Sequence, residues 1–152
     1  MQYLDSLHAS TQSKTHLIFD RAMSQESIVA QKKLFVIDDD PGMRRSIERL
    51  LKMHGFDVQA FESAEEFLDS ASPRDSCCFL LDIHLGGMSG IELRRQLTLS
   101  GISVPVIFMT AEDSEIIRAE AFEVGCTAFL PKPFAPMQLM DAIEKALDTP
   151  HD

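Results

Sequence analysis

The sequence predicts an α/β protein: a doubly wound parallel sheet of five strands, each followed by a helix. Two observations predict this, namely five short hydrophobic runs and, between them, segments whose apolar residues recur with the period of a helix. The third observation is the reactive or polar residue on which each run ends. Leu34-Phe35-Val36-Ile37 leads into Asp38-Asp39-Asp40, Cys78-Phe79-Leu80-Leu81 into Asp82, Val106-Ile107-Phe108-Met109 into Thr110, and Ala128-Phe129-Leu130-Pro131 into Lys132-Pro133. The weakest run, Val58-Gln59-Ala60-Phe61, ends on Glu62. Strands that alternate with helices form parallel βαβ units, and the carboxyl ends of parallel strands share one edge of the sheet, where open α/β sheets place their ligand site.

Taken in order, the elements carry their own start and stop signals. After the first strand, Pro41 suits the first helical position and Asp40 its cap, with Met43, Ile47, Leu50, Leu51 and His54 on one stripe before Gly55. Ser63-Ala64-Glu65-Glu66 has capping-box spacing and opens a helix with Ala64, Phe67, Leu68 and Ala71 inward, stopped by Ser72-Pro73. A third helix is expected from near Ser89 through Leu93 and Leu97 to Gly101. A fourth is expected from near Asp113, with Ile117, Ala121 and Val124 inward, Glu112, Asp113 and Glu115 at its amino end, and Gly125 after it. The last starts around Pro136 and buries Leu139, Met140, Ile143, Ala146 and Leu147.

Right-handed crossovers and five strands give the flavodoxin-like order 2-1-3-4-5. The first and third strands then flank the switch point, so Asp38 and Asp39 face Asp82, with Thr110 and Lys132 on the next two strands. The poorly decorated second strand falls at the edge.

Composition narrows the class. With 152 residues the chain holds one ordinary domain and not two full-sized ones. Met1 to Gln31 is rich in Ser, Thr, Gln and His without a sustained period, so residues 1–31 are expected to be a loosely ordered extension and 32–149 the domain. Leu17-Ile18-Phe19 is too short for a signal-peptide core, and Met23 is a candidate translation start. Hydrophobic residues make up 45% and charged residues 25%, without an apolar run of spanning length, so no membrane role is expected. The net charge of -10 argues against a nucleic-acid surface on this chain. Cys77, Cys78 and Cys126 lack metal-site spacing and read as small buried hydrophobes in a reducing cytoplasm. Met43, Met53, Met137 and Met140 read as packing and edge contacts.

Crowded carboxylates need protonation, an opposite charge or a divalent cation, and an all-oxygen site suits Mg²⁺. Lys132 offers a point charge and Thr110 a hydroxyl, both suited to phosphoryl oxygens. An aspartate can itself attack phosphorus, and Asp82, central in the sheet, is the candidate. Asp40 is better explained as a cap than as a ligand.

Val36-Ile37-Asp38-Asp39-Asp40, Leu80-Leu81-Asp82-Ile83-His84-Leu85-Gly86-Gly87-Met88-Ser89-Gly90, Val106-Ile107-Phe108-Met109-Thr110-Ala111 and Phe129-Leu130-Pro131-Lys132-Pro133-Phe134 occur in this order. Together they closely resemble the receiver domain of bacterial two-component response regulators, over Lys33 to about Leu147. The wording around Met88-Ser89-Gly90-Ile91-Glu92-Leu93 is nearest to the nitrogen-fixation and nodulation regulators. The resemblance implies a cytoplasmic signalling module rather than an enzyme, in which Asp82 accepts a phosphoryl group from a sensor histidine kinase or phosphotransfer protein. It implies Mg²⁺ held by the side chains of Asp39 and Asp82, by Asp38 through water, and by the backbone carbonyl of His84. Thr110 and Lys132 would hold the phosphoryl oxygens beside the small Ala111, Thr110 and Phe129 would form the switch pair, and the Lys132-Pro133 bond would be cis.

Two departures stand out. Gly86 replaces a proline common in receivers, which predicts a more mobile loop after Asp82. His84 and Glu112 fill the positions that tune phosphoryl lifetime in the family. The chain ends soon after the fifth helix, so a single-domain regulator is expected, signalling through an unidentified downstream protein, a phosphorylation-dependent homodimer, or relay and draining of phosphoryl groups. Kinase docking is expected around Arg44, Arg45 and Glu48, and output on the face of the fourth helix, fifth strand and fifth helix. Two other readings are a Mg²⁺-dependent phosphatase of the haloacid dehalogenase type, since Asp38-Asp39-Asp40 satisfies Asp-x-Asp, and an unphosphorylated scaffold. Pro41-Gly42 departs from the first and the intact site from the second.

Overall fold

Every apolar run becomes a strand. The computed structural model describes residues 32–148, so the expected extension over residues 1–31 and the candidate start at Met23 lie outside the described residues. The strands are β1 (Lys33–Ile37), β2 (Asp57–Phe61), β3 (Cys78–Asp82), β4 (Val106–Thr110) and β5 (Ala128–Pro131). They form one parallel sheet in the order β2-β1-β3-β4-β5, the order expected. The helices are α1 (Pro41–Met53), α2 (Ala64–Ser70), α3 (Gly90–Leu99), α4 (Glu115–Val124) and α5 (Pro136–Asp148), with a short 3-10 turn at Pro73–Asp75 before β3.

Period-two alternation along the strands divides the apolar residues between two cores. Phe35, Ile37, Phe79, Leu81 and Phe108 point to one face, where Ala64 and Phe67 of α2, Ile91, Leu93 and Leu97 of α3, and Ala121 of α4 cover them. Leu34, Val36, Cys78, Leu80, Ile107 and Met109 point to the other, under Ile47 and Leu51 of α1 and Leu139, Ile143 and Ala146 of α5. Burial on both faces is why β1, β3 and β4 read as continuous apolar runs, whereas β2, at the edge, alternates. In the first core, Phe67 packs edge-on against Phe35, Phe61 and Phe79 at ring-centroid distances of 5.2, 5.4 and 5.5 Å. Such pairs add about 0.5–1.5 kcal/mol each beyond the area they bury.

The caps fix where each helix leaves the sheet. Asp40 Oδ1 accepts from the Gly42 and Met43 amides at 2.9 and 3.4 Å, with Pro41 in the first turn as expected. Ser63 caps α2 through the Glu66 amide, and Ser89 with Glu92 forms a reciprocal capping box on α3. The fourth helix differs from expectation. It begins at Glu115, its cap is Ser114 accepting from the Ile117 amide, and Asp113 instead pairs with Arg118 at 2.8 Å. A hydroxyl one residue before the helix reaches the free amides, and the preceding carboxylates do not have to. His54 is also not part of the α1 stripe; it is exposed, with Nδ1 2.9 Å from the Leu50 carbonyl. Of the cysteines only Cys78 is buried, and Met53 and Met137 are 77% and 75% exposed rather than packed. No described helix is long and apolar enough to cross a membrane.

Candidate functional site

The strand register brings the chemistry together. Ile37 pairs with Leu81 and Asp82 with Met109, so Asp38, Asp82 and Thr110 leave the sheet at one level of one edge. Thr110 pairs with Pro131, which brings Lys132 to the same edge, and the Lys132-Pro133 bond is cis. Asp38 is fully buried and Asp82 is 5% exposed, while Asp39 is exposed. One carboxylate oxygen from each lies within 4.8 Å of the others.

Every contact on Asp38 holds it in place. Its amide donates to the Phe61 carbonyl at 3.1 Å, its Oδ1 accepts from the Asp40 amide at 2.9 Å, and its carbonyl accepts from Arg44 Nη1 at 2.7 Å. Lys132 Nζ reaches Asp38 Oδ2 at 2.7 Å and Asp82 Oδ2 at 3.2 Å, and the other Asp82 oxygen accepts from the His84 amide at 3.1 Å. One ammonium among the described residues therefore serves two buried carboxylates. Burial, then the charge of Asp38, pushes the Asp82 carboxyl up from 3.8 to about 6 against the pull of Lys132. Burial works against the charge on Lys132, but its hydrogen bond to Asp38 and the two carboxylate charges outweigh this and raise its pKa.

This donor set fits Mg²⁺. The three candidate donors are all carboxylate oxygens, two of them are withdrawn from water, and the negative charge exceeds what Lys132 supplies. Burial, and after it the charge of Asp38, raises the Asp82 pKa despite Lys132.

Thr110 is buried at the sheet edge, but its hydroxyl is engaged with the following loop. Oγ1 accepts from the Glu112 amide at 3.0 Å and donates to the Glu112 carbonyl at 3.1 Å, so it bonds neither Asp82 nor Lys132. Phe129 is 9% exposed on β5; Arg118 lies over its ring at 4.7 Å and Phe122 stacks on it at 6.5 Å. The His84 ring meets Glu112 at 3.0 Å. Sequence reasoning assigned Arg44 to a docking surface and did not foresee its bond to Asp38, because a separation of six residues carries no local pattern. It also missed Gly90, where a β-carbon would run into the Asp82 carbonyl oxygen. Only a glycine lets α3 start this close to the end of β3.

Comparison with known proteins agrees with this geometry. Residues 34–144 match the family model described as the response regulator receiver domain. Nodulation protein W of Bradyrhizobium diazoefficiens is 37% identical over 115 residues, which are 76% of this chain and 51% of that protein. The transcriptional regulatory protein FixJ of Azorhizobium caulinodans is 37% identical over 112 residues, covering 74% of this chain and 53% of that protein. The solved structure of the response regulator StyR is 41% identical with a TM-score of 0.72, over 78% of this chain and 60% of that one. The chain spans about half the length of these curated relatives. A family match across nearly all the described residues, on the fold and acidic edge that the register builds, establishes that this chain belongs to the response regulator receiver domain family, the phosphorylation-based signalling modules of two-component systems.

Proposed function

We propose that residues 32–149 act as a receiver whose Asp82 accepts a phosphoryl group from the phosphohistidine of a sensor kinase or phosphotransfer protein, with residues 1–31 an extension to it. The observation that carries this is the pair of buried carboxylates, Asp38 and Asp82, sharing Lys132 at 2.7 and 3.2 Å. In the transfer an Asp82 oxygen attacks phosphorus, the phosphorus–nitrogen bond of the donor breaks, and its electron pair stays on the imidazole. Bound Mg²⁺ supplies compensation for the charge on the phosphoryl oxygens. Asp39 and Asp82 would hold it by their side chains, Asp38 through water and His84 by its backbone carbonyl. Lys132 then leaves part of its contact with Asp82 for a phosphoryl oxygen. Thr110 exchanges its bonds to Glu112 for another, and Phe129 moves with it.

A phosphohistidine donor places this reaction in the cytoplasm. The donor docks beside α1, around Arg44, Arg45 and Glu48, the last two of which line an open surface depression with Arg49, Lys52 and Met53. The α4, β5 and α5 face carries the signal to a downstream protein, to a second copy of the chain, or back into a phosphorelay. Phosphorylation biases this face between two packings through Thr110 and Phe129. The test is labelling by acetyl phosphate with Mg²⁺ present. Asp82→Asn should abolish it, and an Asp82→Asn protein that still labels overturns the assignment in favour of an Asp38 nucleophile. Capture of partners with and without beryllofluoride then identifies the output.

A further inference from the structure

The loop after Asp82 is pinned from outside. Its base is closed by the Gly90 amide donating to the Ile83 carbonyl at 3.0 Å. Its tip is held by a residue of another element: Glu65 Oε1, in the first turn of α2, accepts from the Met88 amide at 2.7 Å. That bond is the chief cause that lowers the Glu65 pKa. Gly87 fits the same contact in two ways. Its φ is +92°, which side chains rarely adopt, and a β-carbon there would stand 2.8 Å from Glu65 Oε1 and displace the carboxylate.

Gly86 gives the loop nothing of this kind. Its φ is not positive, a β-carbon would meet no atom within 4 Å, and its amide makes no hydrogen bond among the described residues. Between base and tip lies His84, whose amide donates to Asp82 Oδ1 at 3.1 Å. A loop with two consecutive glycines has many conformations to lose, and one charge-assisted bond at its tip removes many of them.

We propose that Glu65 is a positioning residue for the phosphoacceptor site, holding the Gly86-Gly87-Met88 tip so that His84 stays in register with Asp82. This rests on the reading of Asp82 and His84 as Mg²⁺ and phosphoryl ligands. Apparent affinity scales with the fraction of molecules in the competent loop conformation. Releasing the tip lowers that fraction, and a conformational restraint placed elsewhere in the loop restores it. Gly86 is the place for one, because its φ is not positive, a β-carbon there meets nothing within 4 Å and its amide makes no bond among the described residues for a proline to remove.

The experiment measures amide exchange at Met88 by NMR and Mg²⁺ affinity by calorimetry in wild type, Glu65→Ala, Glu65→Gln and the double variant Glu65→Ala with Gly86→Pro. Glu65→Ala should speed exchange at Met88 and weaken Mg²⁺ binding about three- to tenfold, the range of one exposed charge-assisted bond. Glu65→Gln, which keeps an acceptor, should fall between. The double variant should recover Mg²⁺ affinity while Met88 still exchanges fast. Unchanged exchange in Glu65→Ala overturns the latch, and fast exchange with unchanged Mg²⁺ affinity overturns its positioning role. A wild type that binds no Mg²⁺ overturns the reading of the site and with it the positioning role, while exchange at Met88 still tells whether the latch exists.

Discussion

His84 Nε2 lies 3.0 Å from Glu112 Oε2, joining the loop after β3 to the loop after β4. Glu112 is also the residue whose backbone both donates to and accepts from the Thr110 hydroxyl. The bridge and the Thr110 hydroxyl therefore meet in one residue, and any movement of Thr110 towards Asp82 would disturb Glu112.

With side chains 48% and 63% exposed, this pair contributes little to stability, and its effect should be kinetic. It bridges the loops that follow Asp82 and Thr110, where its side chains would obstruct water approaching Asp82. His84→Ala and Glu112→Ala should each speed loss of the phosphoryl group from Asp82 about two- to fivefold, with the double variant no faster than either, since paired residues act as one unit. Timed loss of label after removal of acetyl phosphate measures this. Slower loss in the single variants would mean the pair orients water instead of excluding it.

The raised pKa of Asp82 has a consequence for stability without metal. Its carboxyl titrates near 6 in the folded chain and at 3.8 when unfolded, so above pH 6 the folded state carries a charge that burial and Asp38 disfavour. As pH falls from 6 towards 3.8 the folded state takes up the proton first, and this penalty disappears. Asp82→Asn removes it at every pH. In the presence of a chelator, Asp82→Asn should exceed wild type in stability by about 1–3 kcal/mol at pH 7.5, a gap that shrinks by pH 4.5. Urea titrations at the two pH values test this, and equal midpoints at pH 7.5 would count against a strained Asp82.

Lys132 carries the opposite sign. Its pKa is raised, so the stability it contributes is fully present below the ordinary lysine value and is lost only as pH climbs through the higher folded one. At neutral pH the ammonium is fully charged and compensates Asp38 and Asp82. Lys132→Met should leave two buried carboxylates unpaired and cost about 2–4 kcal/mol at pH 7.5. Adding Asp82→Asn should recover much of that loss, because the two positions are 3.2 Å apart and couple. Denaturation of the four proteins of this cycle supplies the coupling, and strict additivity would mean that Lys132 stabilises through something other than charge.

Strand order, helix number and the members of the acidic edge were legible because each rests on a local signal. Continuous apolar runs mark strands buried on both faces, caps mark helix starts, and in a parallel sheet the residue after each run must arrive at one edge. The features that escaped depend on contacts distant in sequence. Nothing local distinguishes Glu65, one more first-turn glutamate beside Glu66, from a residue that reaches Met88, and Gly90 is simply a helix-terminal glycine until β3 is packed beneath it. Thr110 was legible as a residue at the carboxyl edge of the sheet but not in its present engagement with Glu112, since a threonine at a strand end suits either partner. The start of α4 has the same origin: Asp113, Ser114 and Glu115 all suit a helix amino end, and it is the Ser114 hydroxyl that accepts from the Ile117 amide while Asp113 pairs with Arg118.

Arg118 also bears on the proposed switch. Its guanidinium lies 4.7 Å from the centroid of Phe129 while pairing with Asp113 at 2.8 Å, so it ties β5 to the loop before α4. Phe122 stacks on the same ring at an interplanar angle of 27°. An exposed cation–π contact contributes about 0.5–1 kcal/mol, and the ion pair, with side chains 46% and 42% exposed, adds less. If Phe129 leaves this position when Asp82 is phosphorylated, the clamp stabilises the resting packing alone, and a ligand of the active packing must overcome it. Arg118→Ala should therefore raise affinity for beryllofluoride about two- to fivefold, with a small loss of folding stability. Calorimetric titration in the presence of Mg²⁺ measures the first and thermal unfolding the second. Arg118→Lys, which keeps a charge but not the planar stack, should lie between wild type and Arg118→Ala. Unchanged affinity in Arg118→Ala, with the stability loss present, would show that Arg118 holds both packings equally and takes no part in the switch.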